Sequence, residues 1–378
     1  MNEKEVAEIR RRFRADKSNI IAVRGCYVNE QREIVSEFKQ SMALTSHEES
    51  EQILSLLRKS LSGTLGKNLV DIEFETQQVI SGGEHKLLME LRKSALGDDA
   101  AVAEFYRRVI QELSLEGSYM IMLAHDSYDV PYRSRDGESQ SDASSEVFSY
   151  IVCSICPIKL TKPALSYYID ECRFRNIASD WVVGSPELGF MFPAFDDRSA
   201  NIYNALYYTR DISENHKEFV EAVFKSPVSM PAAEQKQTFQ SVLGDTVAED
   251  CSLEVVQAVH ERLGGMIEDH KANKDLEPLR FSKRTVKTVL EGCGVSSQHV
   301  TAFEERYDEE FGENAELCPV NVVDTKQLEI KTPNVLIRVN PERSDLIKTK
   351  FLNGLPYILI RAEEGVEVNG VCIHIPKE

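Results

Sequence analysis

The spacing of apolar residues changes period twice along this chain, and that change constrains the fold more than any single motif. Up to about residue 210, short runs alternate apolar and polar side chains, the two-residue repeat of strands, with helical stripes between them. "NIIAVRGCYVNEQREIVSEFKQ" alternates on both sides of Asn29-Glu30 and predicts a hairpin. "SYMIMLA" at 118–124, "VFSYIVCSICPIKL" at 147–160, "LSYYI", "WVVG", "LGFMFPAF" and "NIYNALYYTR" predict further strands. Helical spacing appears at 3–15, with Val6, Ile9 and Phe13 on one side, after the capping box Ser46-x-x-Glu49, and at 84–95 and 99–115. From Ser213 to about Phe311 every stretch has helical spacing, and beyond Cys318-Pro319 short strands return with Asn353-Gly354 and Asn369-Gly370 as hairpin turns. The expectation is an α+β chain in three parts. These are an N-terminal mixed α/β-sheet domain at 1–212, a helical module at 213–317 and a C-terminal antiparallel β-hairpin module at 318–378. The polar stretch 131–146 reads as a mobile surface loop, and the single tryptophan, Trp181, as a core residue.

Charge limits the partners. The chain carries 44 Lys and Arg against 62 Asp and Glu, a formal net charge of −18. Nucleic acid and anionic lipid repel such a chain unless basic residues gather on one surface. Two gatherings exist: Arg10, Arg11, Arg12, Arg14 and Lys17 near the start, and Lys271, Lys274, Arg280, Lys283, Arg284 and Lys287 farther on. Helical geometry spreads consecutive residues around the axis, so the first group cannot all point one way. The charged opening "MNEKEVAEIRRRFRADK" lacks the apolar run of a secretory signal, and no stretch reaches the roughly 18 apolar residues of a membrane span. A cytoplasmic location without membrane contact is expected, with the eight sparse cysteines reduced.

Motifs that carry chemistry are few. "LSGTLGKNL" imitates a phosphate-binding loop, but Leu61 stands where the first glycine belongs and Asn68 follows Lys67. The order of elements is also helix, loop, strand instead of strand, loop, helix, so Gly63 reads as a helix end and Gly66 as a turn. Cys153-Ser-Ile-Cys156 has the spacing of half a zinc site, yet it lies in an apolar strand where residues three apart face opposite ways. Both read as buried structural cysteines. His125, Asp126 and Asp129 end one strand, and Asp196, Asp197 and Arg198 follow another. Were those strand ends to meet, the carboxylates and imidazole could hold Mg²⁺ or Mn²⁺ for phosphodiester hydrolysis, with Arg198 stabilising developing charge. No G-x-S-x-G, H-E-x-x-H or G-x-G-x-x-G occurs, and no cofactor or resident metal is expected.

The phrases "RGCYVNE", "LSGTLGKNL", "HDSYDVP", "CSICPIKL", "DWVVGSPELGFMFPAFDDRS", "LYYTRD" and "VNPERSDLI" span nearly the whole chain. In them the chain is similar to a domain-of-unknown-function family, number four-three-one-seven, of Gram-positive bacteria. That family has no activity to carry over. The order of parts also resembles the thirty-seven-kilodalton nucleoid-associated proteins of bacteria. The shared features are an apolar strand ending in histidine, "YMIMLAH", and a helix with paired phenylalanines, "HKEFVEAVF". This second resemblance implies association with the nucleoid, through DNA, through a topoisomerase or another DNA enzyme, or both.

The leading expectation is a non-enzymatic protein that contacts DNA phosphates through Arg10, Arg11, Arg12, Arg14 and Lys17, or through Lys283, Arg284 and Lys287. The alternatives are a metal-dependent phosphodiesterase or nuclease on the aspartates, and an acidic protein that imitates DNA in the cleft of a DNA enzyme.

Overall fold

The computed structural model describes residues 1–133, 139–227, 230–273, 278–362, 365–368 and 370–373, with the side chains of 132–133 and 139–146 excepted. The chain divides into two compact units, Met1–Ala232 and Ala233–Glu378.

The first unit is built on one eight-stranded sheet. Its strands are β1 (Ala22–Val28), β2 (Ile34–Ser41), β3 (Leu69–Glu73), β4 (Tyr119–Arg133) and β5 (Ser139–Leu160). A small hairpin, β6 (Ala164–Tyr168) and β7 (Arg173–Ile177), stands apart from it, and β8 (Trp181–Val183), β9 (Leu188–Phe192) and, after the small pair β10 (Ala194–Asp196) and β11 (Ser199–Asn201), β12 (Asn204–Thr209) complete it. The order is β2-β1-β4-β5-β9-β12-β3, with β8 on the far end of β5, and every pairing is antiparallel.

Strand alternation sends side chains to two faces, and both faces are buried. Ile121, Leu123, Ile151, Cys153, Ile155, Phe190 and Phe192 pack on one side beneath α4 (Gly83–Lys93), α5 (Asp99–Glu112) and α6 (Lys217–Phe224). Met122, Ala124, Val152, Cys156, Met191 and Leu206 pack on the other beneath α1 (Glu3–Arg10) and α2 (His47–Lys59). Cys153 and Cys156 therefore fall in different cores, both as free thiols, as their spacing in a strand implies. A short α3 (Thr76–Ser81) precedes α4.

Two glycines allow close packing here. A Cβ on Gly25 would collide with the Phe38 ring laid across it, and one on Gly189 would strike the Cys153 carbonyl and Ser60 at 2.7–2.8 Å. Ser60, just past α2, shares a 2.6 Å hydrogen bond with Ser154 of β5. The end of α2 is thereby seated on the middle of the sheet.

The second unit has a helical core of α7 (Ala232–Val247), α8 (Leu253–Asn273), α9 (Lys283–Gly292) and α10 (Ser297–Phe311). Its centre is Phe239, Val242, Val259, Leu263, Leu290, Phe303 and Tyr307, joined by Phe281 of β13 (Phe281–Ser282), Leu317 of β14 (Glu316–Leu317) and Val322 of α11 (Pro319–Val322). Three two-stranded ribbons follow: β15 (Leu328–Lys331) with β16 (Leu336–Val339), β17 (Ile347–Leu352) with β18 (Leu355–Ile360), and β19 (Val366–Val368) with β20 (Val371–Ile373). Asn353 and Gly354 both take positive φ between Leu352 and Leu355, as the turn signal predicts. Asn369 lies outside the described residues. Sheet, helical core and ribbons together make the chain α+β.

Three expectations are corrected. The stretch 131–146 is not a loop throughout, because β4 and β5 stay paired out to Arg133↔Ser139, with residues 134–138 outside the described set. Trp181 is 57% exposed, since its short strand pairs β5 beyond the helix-covered part of the sheet. The helix expected from Ser213 begins at Lys217, because the Thr209 hydroxyl donates to the carbonyls of Asp211 and Glu214 and the Asp211 carboxylate accepts from the Ser213 amide, holding 211–214 in turns. That helix also packs in the first unit, where Phe219 and Phe224 join the sheet core. Replacing Gly189 by alanine forces Ser60 and the end of α2 off the sheet. A loss of about 1–3 kcal/mol in urea unfolding is expected for Gly189→Ala, and an unchanged midpoint would show that this close approach is not needed.

Candidate functional site

Helix α1 lies on the sheet with a charged underside. Its first turn is closed by a capping box between Asn2 and Glu5, and Val6, Ile9 and the following Phe13 supply the apolar contact. Around them runs a row of ion pairs. The amino terminus of Met1 lies 3.6 Å from Asp71 and 3.8 Å from Asp196. Glu8 holds Arg198 at 2.7 Å and accepts from the Tyr128 hydroxyl at 2.7 Å, while Arg198 also donates to the Pro131 carbonyl. Arg12 reaches inward, 5.0 Å above the Tyr128 ring and 3.7 Å from Asp126.

Asp126 is the buried end of this row. It accepts from the Tyr150 hydroxyl at 2.8 Å and from the amides of Asn19 and Ser127 at 2.9 and 3.0 Å. Burial raises its carboxyl above the ordinary carboxylate range, and the Tyr150 hydroxyl, Arg12 and the two amides oppose that rise. Burial also drives the Tyr150 hydroxyl well above its ordinary value, with the adjacent Asp126 charge adding to the effect.

The aspartates weighed for metal binding have different surroundings, although the two strand ends that carry them meet where Arg198 donates to the Pro131 carbonyl. His125 points to the other face from Asp126, where its Nε2 meets the Ser149 hydroxyl at 2.8 Å and burial lowers its proton affinity. Asp129 is exposed on β4, Asp196 sits by the amino terminus, and Asp197 is an exposed turn residue at φ 48°. Among the described residues no three His, Cys, Asp or Glu side chains are grouped to hold a metal ion.

The arginine run is divided by the same geometry. With Arg12 turned inward, Arg10, Arg11 and Arg14 line an open cleft of about 470 Å³ together with Arg58, Lys59 and Ser62 from the end of α2. Arg10 spans the two elements, its guanidinium donating to the carbonyls of Leu61 and Gly63, the latter at 3.1 Å. The stretch that imitates a phosphate loop thus forms part of the wall, with Gly63 and Gly66 at positive φ as its turns. Burial draws the Arg10 guanidinium below its ordinary value, although an arginine keeps its charge. Arg14 pairs with the exposed Asp16 at 3.1 Å, and Lys59 donates to the Ser185 hydroxyl at 2.8 Å. Arg11, Lys17 and Arg58 are exposed. Basic residues in the last turns of α1 and α2 also complement the helix dipoles, which accounts for part of their placement.

The second basic group lies in the other unit, and two of its members are neutralised there. Lys283 pairs with Asp308, and Lys287 pairs with Glu304 at 2.8 Å, which raises its proton affinity. Arg284, Lys271 and Arg280 are exposed, and Lys274 lies outside the described residues. The sequence reading missed Arg58, Lys59 and Ser62. Its available signal was the basic last turn of α2 directly before the glycine-containing loop.

Because its folded carboxyl value is raised, Asp126 holds its proton more tightly in the folded chain than in the unfolded one. That contribution to stability is complete below the unfolded value and is lost as pH rises through the folded one. Removing Arg12 raises the carboxyl further. Arg12→Met should therefore cost little in acid but about 1–3 kcal/mol at neutral pH, with much of the loss recovered in R12M/D126N. Urea unfolding across pH measures this, and an equal loss at every pH would show that Arg12 acts by packing alone.

No curated protein matches the chain. A family model described as Domain of unknown function (DUF4317) matches residues 1–371, so the chain belongs to that family.

Proposed function

We propose that the chain is a non-enzymatic, DNA-transaction-associated protein whose first unit contacts phosphates through the cleft between the ends of α1 and α2. The observation that carries this reading is the gathering of Arg10, Arg11, Arg14, Arg58 and Lys59 around one cleft on a chain of net charge −18. Local cations matter more than net charge at contact distance, because physiological salt screens exposed charges beyond about 8 Å. Guanidinium groups suit the task, since each offers a planar fork of donors to a phosphate oxygen pair. In this reading the contact is to the phosphate backbone and independent of sequence. Nucleoid association follows from such binding, and a topoisomerase or other DNA enzyme is the second partner class in this reading. No helix among the described residues is long and apolar enough to cross a membrane.

The test is the anisotropy of labelled duplex DNA across a salt series, with and without Mg²⁺. Binding should weaken with salt and leave the DNA intact. R11A/R14A/R58A should weaken it and shallow the salt slope by about 0.9 for each phosphate that is no longer neutralised. K283A/R284A/K287A should bind as the parent does. Equal affinity of parent and R11A/R14A/R58A, or no binding at low salt, would overturn the proposal.

A further inference from the structure

The two edges of the large sheet are treated differently. At one end β3 is short and its Leu69, Val70 and Ile72 are buried. At the other end β2 runs eight residues as "IVSEFKQS", without proline, and six of the eight are exposed on its two faces. An edge of this length with Ile34, Val35 and Phe38 presents a row of open backbone donors and acceptors, which proteins ordinarily blunt with proline, charged side chains, bulges or a covering element.

The charges on β2 repel most strands, but being of opposite sign and two residues apart they complement an antiparallel copy of the same strand. Glu37 and Lys39 project from the same face. Lys39 stands directly opposite Arg24 of β1, a like-charge pairing that disfavours the edge as it stands. Arg24 itself turns to Asp99 at 2.7 Å and to the Leu96 carbonyl. On its open side Lys39 thus has room for a carboxylate.

We propose that β2 pairs antiparallel with β2 of a second copy of this chain, joining the two eight-stranded sheets into one. A two-fold axis normal to such a sheet must pass between a residue and its own copy, which restricts the central registers to two. Centred on Glu37, it sets two carboxylates against each other. Centred on Phe38, it sets each Glu37 opposite Lys39 of the other copy, twice, and places Ser36 opposite Gln40. The second register supplies Lys39 with the counter-charge that β1 denies it, and seats the two Phe38 rings side by side on the face where each already covers Gly25.

Sedimentation of the purified full chain tests this. The parent should sediment as a dimer, and E37K and K39E should each weaken association about tenfold, because each turns two attractive cross-strand pairs repulsive. An equal mixture of E37K and K39E, and the double variant E37K/K39E, should recover the dimer, since both restore opposite charges in that register. Circular dichroism identifies any variant that has lost its fold. A monomeric parent, a dimer equally tight in every variant, or single-variant losses that neither the mixture nor the double exchange recovers would overturn the proposal.

Discussion

A carboxylate buried at the face of a sheet must be met by a cation and hydrogen-bond donors or else take up a proton, and at Asp126 that demand organises the N-terminal end of the molecule. Tyr150, Asn19, Ser127 and Arg12 all turn toward it. Arg12 is the consequential one, because pointing it inward sets the path of the chain leaving α1. Its neighbours Arg10, Arg11 and Arg14 then fall on the side of α2. The pairs Glu8–Arg198 and Met1–Asp196 hold the rest of the helix in the same orientation. A short helix with only Val6, Ile9 and Phe13 as its apolar contact would otherwise be weakly oriented.

Two separate arrangements bring the cations together. One is the inward Arg12. The other is the seat of α2 on the sheet, where Ser60 bonds Ser154 above the space left by Gly189. Arg10 ties the two by donating to the carbonyls that follow α2. The charges around the cleft therefore rest on a scaffold of buried polar contacts, whereas Lys283 and Lys287 spend theirs on Asp308 and Glu304. What distinguishes the first cluster is that cations from two helix ends line one cleft.

Much of the architecture was legible because it depends on local rules. The hairpin at Asn29, the capping box of Ser46 and Glu49, the turn at Asn353-Gly354 and the opposed faces of Cys153 and Cys156 each follow from a few adjacent residues. What depends on distant contacts was not legible. The arms of β4 and β5 stay paired through polar residues because each supplies the other's backbone hydrogen bonds, so composition alone suggested a loop. Half of the cleft was visible as an arginine run. The other half, Arg58 and Lys59, required knowing that the ends of α1 and α2 lie side by side. The two strand ends that carry the aspartates do meet, Arg198 donating to the Pro131 carbonyl, but which way each carboxylate turns depends on partners far along the chain.

Phosphate binding at this cleft is tested most closely by hydrogen–deuterium exchange of the full chain with and without duplex DNA at low salt. Slowed exchange is expected in residues 10–17 and 58–63, where the cleft is built, with residues 283–287 unchanged. Bound DNA that leaves 10–17 and 58–63 unprotected, or protects only 283–287, would contradict binding at this cleft.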